Sequence, residues 1–210
     1  DLNPVFSPDG KQIAFSSNRD AGLLPGSAGL YVMNTDGSDP RRIATGKLAD
    51  ASPTWSPDGK RLFFNSTGVS LDLKPARLYS ISLDGRDLQE HTSQDVYSFG
   101  CTTHKDGTVA WTEAVDAPTE FNGVRFSIKS ARKGDWSNVT TVCKDYLRPR
   151  FDSSGKRMLC HGSGPIYDLP LMPNGNPLAR PGAVRNVKLP DRDLRVVGTR
   201  AYFPSLGPDG

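Results

Sequence analysis

Three side chains able to bind charge, His104, Arg150 and Asp152, stand where neighbouring copies of a recurring segment carry small or uncharged residues. The counterparts of His104 and Asp152 are Ser7 and Ser56, and those of Arg150 are Val5 and Thr54. An imidazole, a guanidinium and a carboxylate held close together would recognise a charged ligand or a peptide terminus through charge-assisted hydrogen bonds. Ordinary divergence of a repeat yields the same letters, so the triplet is a candidate binding set rather than a signature.

Other reactive residue types are better explained by structure. Asp9, Asp58 and Asp106 recur with a following glycine, and in such turns the carboxylate caps backbone N–H groups, so neither metal binding nor acid–base work is needed to account for them. His91 and His161 are isolated, and no pair of histidines has the spacing of a helical zinc site. Cys101, Cys143 and Cys160 lack metal-ligand spacing, and an odd number does not define a disulfide framework. No Gly-x-Ser-x-Gly and no phosphate-binding glycine loop occurs. The expectation is a segment without catalytic residues, cofactor or metal.

What positions the candidate residues is a repeat. Pro4-Val5-Phe6-Ser7-Pro8-Asp9-Gly10 and Pro53-Thr54-Trp55-Ser56-Pro57-Asp58-Gly59 match at an offset of 49. Weaker copies follow at Cys101–Gly107 and Pro149–Gly155, and a fifth starts at Pro204 and reaches Pro208-Asp209-Gly210. Each Asp-Gly or its equivalent separates two apolar runs, the second being Lys11–Ser16, Lys60–Phe64, Val109–Trp111 or Lys156–Cys160. That is a hairpin signal, because glycine takes the positive φ of a tight turn without a Cβ clash. A third run follows, Leu30–Met33 or Leu78–Ile81, and Arg41–Ala44 is a short fourth. Four strands in a period of 40 to 50 residues is the grammar of a propeller blade, and such a unit must pack against like neighbours to bury its faces.

The predicted fold is all-β, a β-propeller of four-stranded antiparallel blades. One domain covers residues 1–210, with blades at 4–50, 53–98, 101–146 and 149–200 and a fifth starting at 204–210, which suggests a piece of a larger ring. Composition agrees: 21 Gly and 17 Pro supply turns, and 36% hydrophobic residues can form a core. A net charge of +3 argues against nucleic acid as the main partner, and no apolar run approaches the length of a bilayer span.

The stretch Phe-Ser-Pro-Asp-Gly-Lys-Gln-Ile-Ala-Phe-Ser-Ser-Asn-Arg-Asp at 6–20, followed by Leu-Tyr-Val-Met-Asn-Thr-Asp-Gly at 30–37, resembles the Pro-Asp repeat of TolB-like, WD40-like propellers. It is also similar to the propellers of dipeptidyl-peptidase and prolyl-oligopeptidase relatives. The resemblance implies an architecture shared by many activities. Two functions follow as expectations: a non-catalytic module presenting loops and a central channel to a protein or peptide, or the substrate-gating propeller of a serine peptidase whose hydrolase domain lies elsewhere. A lyase acting on sugars in the channel is the weakest alternative. The resemblance also suggests an extracytoplasmic location.

Long links between second and third strands, at 18–29, 66–76 and 112–123, are expected on one face of the ring and carry Arg19, Asp20, Asp72, Lys74, Glu113, Asp116 and Glu120. Arg19 and Asp20 join the candidate binding set. Two sequons, Asn65-Ser66-Thr67 and Asn138-Val139-Thr140, are candidate glycan acceptors.

Overall fold

A computed structural model describes residues 1–20, 28–43, 45, 49–67, 76–93, 96–115, 125–132, 134–152, 156–161, 166–171, 182–183, 196–197 and 200–201. Four sheets follow one another along the chain, each antiparallel and each with its strands in sequence order. The first contains β1 (Leu2–Phe6), β2 (Gln12–Ser17), β3 (Gly29–Asn34) and β4 (Arg41–Ile43). The second contains β5 (Asp50–Trp55), β6 (Arg61–Ser66), β7 (Arg77–Ser82) and β8 (Gln89–Glu90). β9 (Tyr97–Thr103), β10 (Val109–Val115), β11 (Arg125–Arg132) and β12 (Asp135–Lys144) form the third, and β13 (Leu147–Phe151), β14 (Arg157–His161), β15 (Ile166–Pro170) and β16 (Gly182–Ala183) the fourth. A separate hairpin pairs β17 (Val196–Val197) with β18 (Arg200–Ala201).

The repeated turn explains why each sheet starts as it does. Gly10 N–H donates to the Ser7 carbonyl, Gly59 N–H to that of Ser56 and Gly107 N–H to that of His104. Gly10, Gly59 and Gly107 have φ of 69°, 69° and 87°, the region in which a Cβ is strained. Asp9 Oδ1 accepts from Lys11 N–H and from the Ser7 hydroxyl, and Asp58 makes the same pair of bonds with Lys60 and Ser56. The turn carboxylates are therefore occupied by backbone and hydroxyl donors, which hold Asp9 and Asp58 below the usual carboxylate pKa.

Alternation along the strands sends side chains to opposite faces, and each face meets a different neighbour. Ala14, Leu30, Val32 and Ile43 of the first sheet pack on Trp55, Leu62, Phe64, Tyr79 and Ile81 of the second. Phe63 and Leu78 turn the other way and join Cys101, Val109, Trp111 and Ala131 of the third sheet. Ala110, Ile128 and Val142 then meet Met158, Cys160 and Leu171. Three apolar layers between four sheets make the core. Among the described residues the first strands touch in order, β1 to β5, β5 to β9 and β9 to β13, and β1 does not reach β13, so the four sheets form an open arc whose first strands converge.

Two predicted links begin later than their sequence suggests. The ladder between β10 and β11 pairs Thr112 with Ile128 and continues to Val115 opposite Arg125, so Thr112 and Glu113 are strand residues, as is Ser66 in β6. Polar letters at these positions hid the strand, because a polar side chain in a blade is satisfied locally: Trp111 Nε1–H donates to the Glu113 carboxylate at 3.2 Å. Asp72, Lys74, Asp116 and Glu120, and the fifth repeat at 204–210, lie outside the described residues.

Candidate binding surface along the inner strands

Where the first strands converge, all four depart from regular pairing at the same place. The register shifts between Leu2 and Val5, between Ala51 and Thr54, between Phe99 and Thr102, and between Leu147 and Arg150. At each shift one residue has positive φ: Asn3 at 53°, Ser52 at 53°, Gly100 at 59° and Arg148 at 53°. These are β-bulges, which bend a strand, raise its twist and re-aim side chains. Three of the four bulged residues are not glycine, although a side chain in this region is strained by about 1 kcal/mol or more. Neighbouring bulges adjoin: Asn3 Nδ2–H donates to the Ser52 hydroxyl at 3.5 Å, and a Cβ added to Gly100 would lie 3.7 Å from Arg148 Cγ. The result is a row of Asn3, Ser52, Gly100 and Arg148 along the inner edge of the arc.

Hydrogen bonds stitch each inner strand to the one before it. Trp55 Nε1–H donates to the Val5 carbonyl at 3.1 Å, the Thr103 hydroxyl to the Trp55 carbonyl at 2.6 Å, and the Arg150 guanidinium to the Cys101 carbonyl at 3.2 Å. Second strands contribute too. Asn65 Nδ2–H donates to the Ser98 carbonyl at 2.7 Å, and Arg148 N–H donates to Thr112 Oγ1 at 2.7 Å. The bulges are thus fixed from the adjacent sheet.

The residues singled out from sequence separate into three places. Arg150 is on β13, bonded to the Cys101 and Pro149 carbonyls, while its side chain keeps an exposed surface beside exposed Arg148. Desolvation by surrounding protein lowers its pKa, and the neighbouring Arg148 charge acts in the same direction. His104 and Asp152 are one residue beyond their inner strands, at the first position of the repeated turn. There they replace the serine hydroxyl with other polar atoms. His104 Nδ1 lies 3.0 Å from Asp106 Oδ1, as the Ser7 and Ser56 hydroxyls lie against Asp9 and Asp58. Asp152 Oδ1 accepts Arg157 N–H at 3.2 Å, as Ser7 Oγ accepts Gln12 N–H.

Arg19 and Asp20 occupy neither location. The Arg19 guanidinium lies over the Phe15 and Tyr31 rings, 4.9 and 5.0 Å from their centroids, and pairs with Asp1 at 3.0 Å. Asp20 accepts the Tyr31 hydroxyl. Burial, reinforced by that carboxylate, raises the Tyr31 pKa. Phe15 and Tyr31 face away from the second sheet, so Arg19 and Asp20 cap the free face of the first blade.

Among the sequon residues, Asn138 is exposed on β12, whereas Asn65 is buried with its amide nitrogen committed to Ser98. That commitment weighs against the expected glycan at Asn65, since the acceptor nitrogen is inside an interblade joint. No group of three or more His, Cys, Asp or Glu able to hold a metal occurs among the described residues. No helix there is long and apolar enough to cross a membrane.

Sequence reasoning passed over the bulge row, although three of its members, Asn3, Ser52 and Arg148, directly precede a proline. A residue in that position ordinarily adopts an extended conformation, so the rule pointed away from the positive φ that the structure shows.

Residues 1–146 match the family described as the TolB beta propeller domain. Among solved structures, the chain is similar to a putative TolB from Agrobacterium tumefaciens, with 22% identity, a TM-score of 0.55, and coverage of 69% of this chain and 50% of that one. It is similar also to TolB from Acinetobacter baumannii, with 19% identity, a TM-score of 0.60, and coverage of 87% and 44%. Puromycin hydrolase matches at 16% identity and a TM-score of 0.58, over 98% of this chain and 29% of the hydrolase. The chain therefore spans about half or less of the length of these proteins, and at such identities they share its fold.

Proposed function

The chain belongs to the TolB β-propeller domain family, and from that premise we propose that it is a non-catalytic binding module whose inner strands and loops receive a protein or peptide. The observation that carries this reading is the pair of exposed arginines on β13, Arg148 and Arg150, set beside the bulge row where the strands converge. Two exposed guanidiniums on one strand favour a carboxylate, which they bind in planar, paired geometry. A free peptide C-terminus or an acidic side chain is the group that fits. Carboxylates elsewhere in the described turns are engaged by serine, threonine and backbone donors, which suits binding better than acid–base catalysis. The reading carries with it a location outside the cytoplasm, where Asn138 rather than Asn65 would be the glycan acceptor in a glycosylating cell.

The test uses the complete protein and fluorescence anisotropy with a library of short acidic peptides, each in a free-acid and a C-terminally amidated form. Free-acid peptides should bind more tightly, and replacing both arginines (Arg148→Ala with Arg150→Ala) should weaken binding tenfold or more, about 1.4 kcal/mol. Equal affinity in the double variant would remove the inner strands from the reading. Peptide cleavage would replace it with the gating role in a peptidase.

A further inference from the structure

Arg148 and Arg150 stand at positions that the other three inner strands fill with uncharged residues. Asn3, Ser52 and Gly100 correspond to Arg148, and Val5, Thr54 and Thr102 to Arg150. Like charges on one short strand oppose each other: beyond desolvation, the Arg148 charge also disfavours the cationic form of Arg150. Among the described residues no carboxylate pairs with either guanidinium, whereas Arg19, Arg61, Arg77 and Arg86 each have one. The fourth blade therefore carries a charge that the described fold does not compensate.

The two arginines are not held alike. Arg150 Nη1 donates to the Cys101 carbonyl at 3.2 Å and to the Pro149 carbonyl at 3.0 Å, which ties the guanidinium to the third sheet and to its own strand. The bulge of the third sheet makes this possible, because it leaves Cys101 without a ladder partner on β10 and its carbonyl available to Arg150. Nη1 is the nitrogen on the Cδ side of the group. The edge left open carries the parallel Nε–H and Nη2–H donors, the fork that matches the two oxygens of a carboxylate. Arg148 is fixed in its backbone, with φ of 53° and its N–H on Thr112 Oγ1, but its guanidinium makes no hydrogen bond among the described residues.

We propose that Arg150 is the specificity-determining residue of the inner-strand surface, a fixed fork that receives one carboxylate of the ligand side-on, with Arg148 adding charge without fixed geometry. This rests on the reading of the surface as a binding site and narrows it: the ligand must bring a carboxylate into the plane of the Arg150 guanidinium, and positive charge at position 150 is not enough. The Arg150 rotamer is already held by two carbonyls, so little freedom is lost when the fork closes on its ligand, whereas Arg148 must be ordered at that moment.

The test takes the tightest-binding free-acid peptide of the acidic library, with the complete protein and fluorescence anisotropy. Arg150→Lys keeps the charge and removes the fork, and should weaken binding about tenfold or more, whereas Arg148→Lys should weaken it no more than about threefold. Both should keep the wild-type salt dependence, because the number of charges is unchanged. A second measurement needs no variant: the arginine reagent phenylglyoxal is applied to the wild-type protein with and without the peptide, and the modified sites are mapped by mass spectrometry. Bound peptide should slow modification of Arg150 severalfold relative to Arg86, whose side chain is 85% exposed. Wild-type affinity in Arg150→Lys, an equal loss in Arg148→Lys, or an Arg150 left unshielded by bound peptide would overturn the fork while leaving the binding surface in place. No binding by any peptide, or full affinity after both arginines are replaced by alanine, would remove the surface and the fork together.

Discussion

At single positions, the turn and the bulge impose different demands. In the turn the carboxylate matters: Asp106 accepts Thr108 N–H at 2.9 Å and lies against His104. Asp106→Ala should therefore destabilise the chain by about 1–2 kcal/mol in a denaturant titration, because the Thr108 N–H and the His104 ring both forfeit their acceptor, while peptide affinity stays unchanged. In the bulge the backbone matters. Ser52→Gly should leave stability equal or raise it by up to about 1 kcal/mol by relieving positive φ, and Gly100→Ala should lower it by about the same amount. A loss of stability in Ser52→Gly would mean that its hydroxyl bond to Asn3 outweighs the strain. The roles of Asp9 and Asp58 were legible in the sequence because Asp-Gly has one geometric meaning. Those of His104 and Asp152 were not, since His104 takes over one of the serine's two bonds and Asp152 the other, and a letter cannot show which atom is being used.

Between blades, the joints are long-range and were largely invisible in the sequence. Trp55 was legible as a repeat aromatic, but its bond to Val5 joins residues 50 positions apart, and no local pattern encodes it. A second joint is aromatic. His91, one residue beyond β8, stacks on Trp136 of the third sheet with ring centroids 3.8 Å apart and meets the Ser80 hydroxyl at 2.8 Å. Desolvation, with a smaller contribution from Arg61, lowers its pKa from 6.5 to about 4. The fold thus holds a neutral imidazole that the unfolded chain protonates more readily. Its contribution is complete above pH 6.5 and is lost as pH falls from 6.5 towards 4, by about 2 kcal/mol once solvent screening of the partly exposed ring is discounted. The turn carboxylates act lower: Asp9, Asp36, Asp58 and Asp84 have pKa values below 3.8, so their contribution is present above that value and lost below it. Stability measured against pH should show both windows, and His91→Phe should flatten only the upper one. An unchanged slope between pH 6.5 and 4 in that variant would place the acid sensitivity elsewhere.

Across the whole arc, the number of sheets and the strand order within each followed from the repeat, because every blade uses the same turn and apolar alternation. The outer faces did not follow, since sequence shows what a face is made of and not whether a neighbour covers it. Phe6 corresponds to Trp55, yet Phe6 is 44% exposed where Trp55 is 3%, and Leu159 on the far sheet is 40% exposed. Faces of this kind associate when nothing covers them. Residues 1–210 expressed alone should self-associate in sedimentation velocity, and Phe6→Lys with Leu159→Lys should shift them towards monomer. A monomer before substitution would show that these side chains are already shielded.

The bulge row leaves a different kind of freedom. Its backbone requirement is met by asparagine, serine, glycine and arginine alike, and apart from the Asn3–Ser52 bond its stitching uses main-chain atoms and side chains at other positions. The identity of each spoke is therefore nearly independent of the architecture that holds it. Such a surface can drift: selection for a new ligand can rewrite one spoke at a time, while the turns and interblade layers that keep the blades in place remain under purely structural constraint.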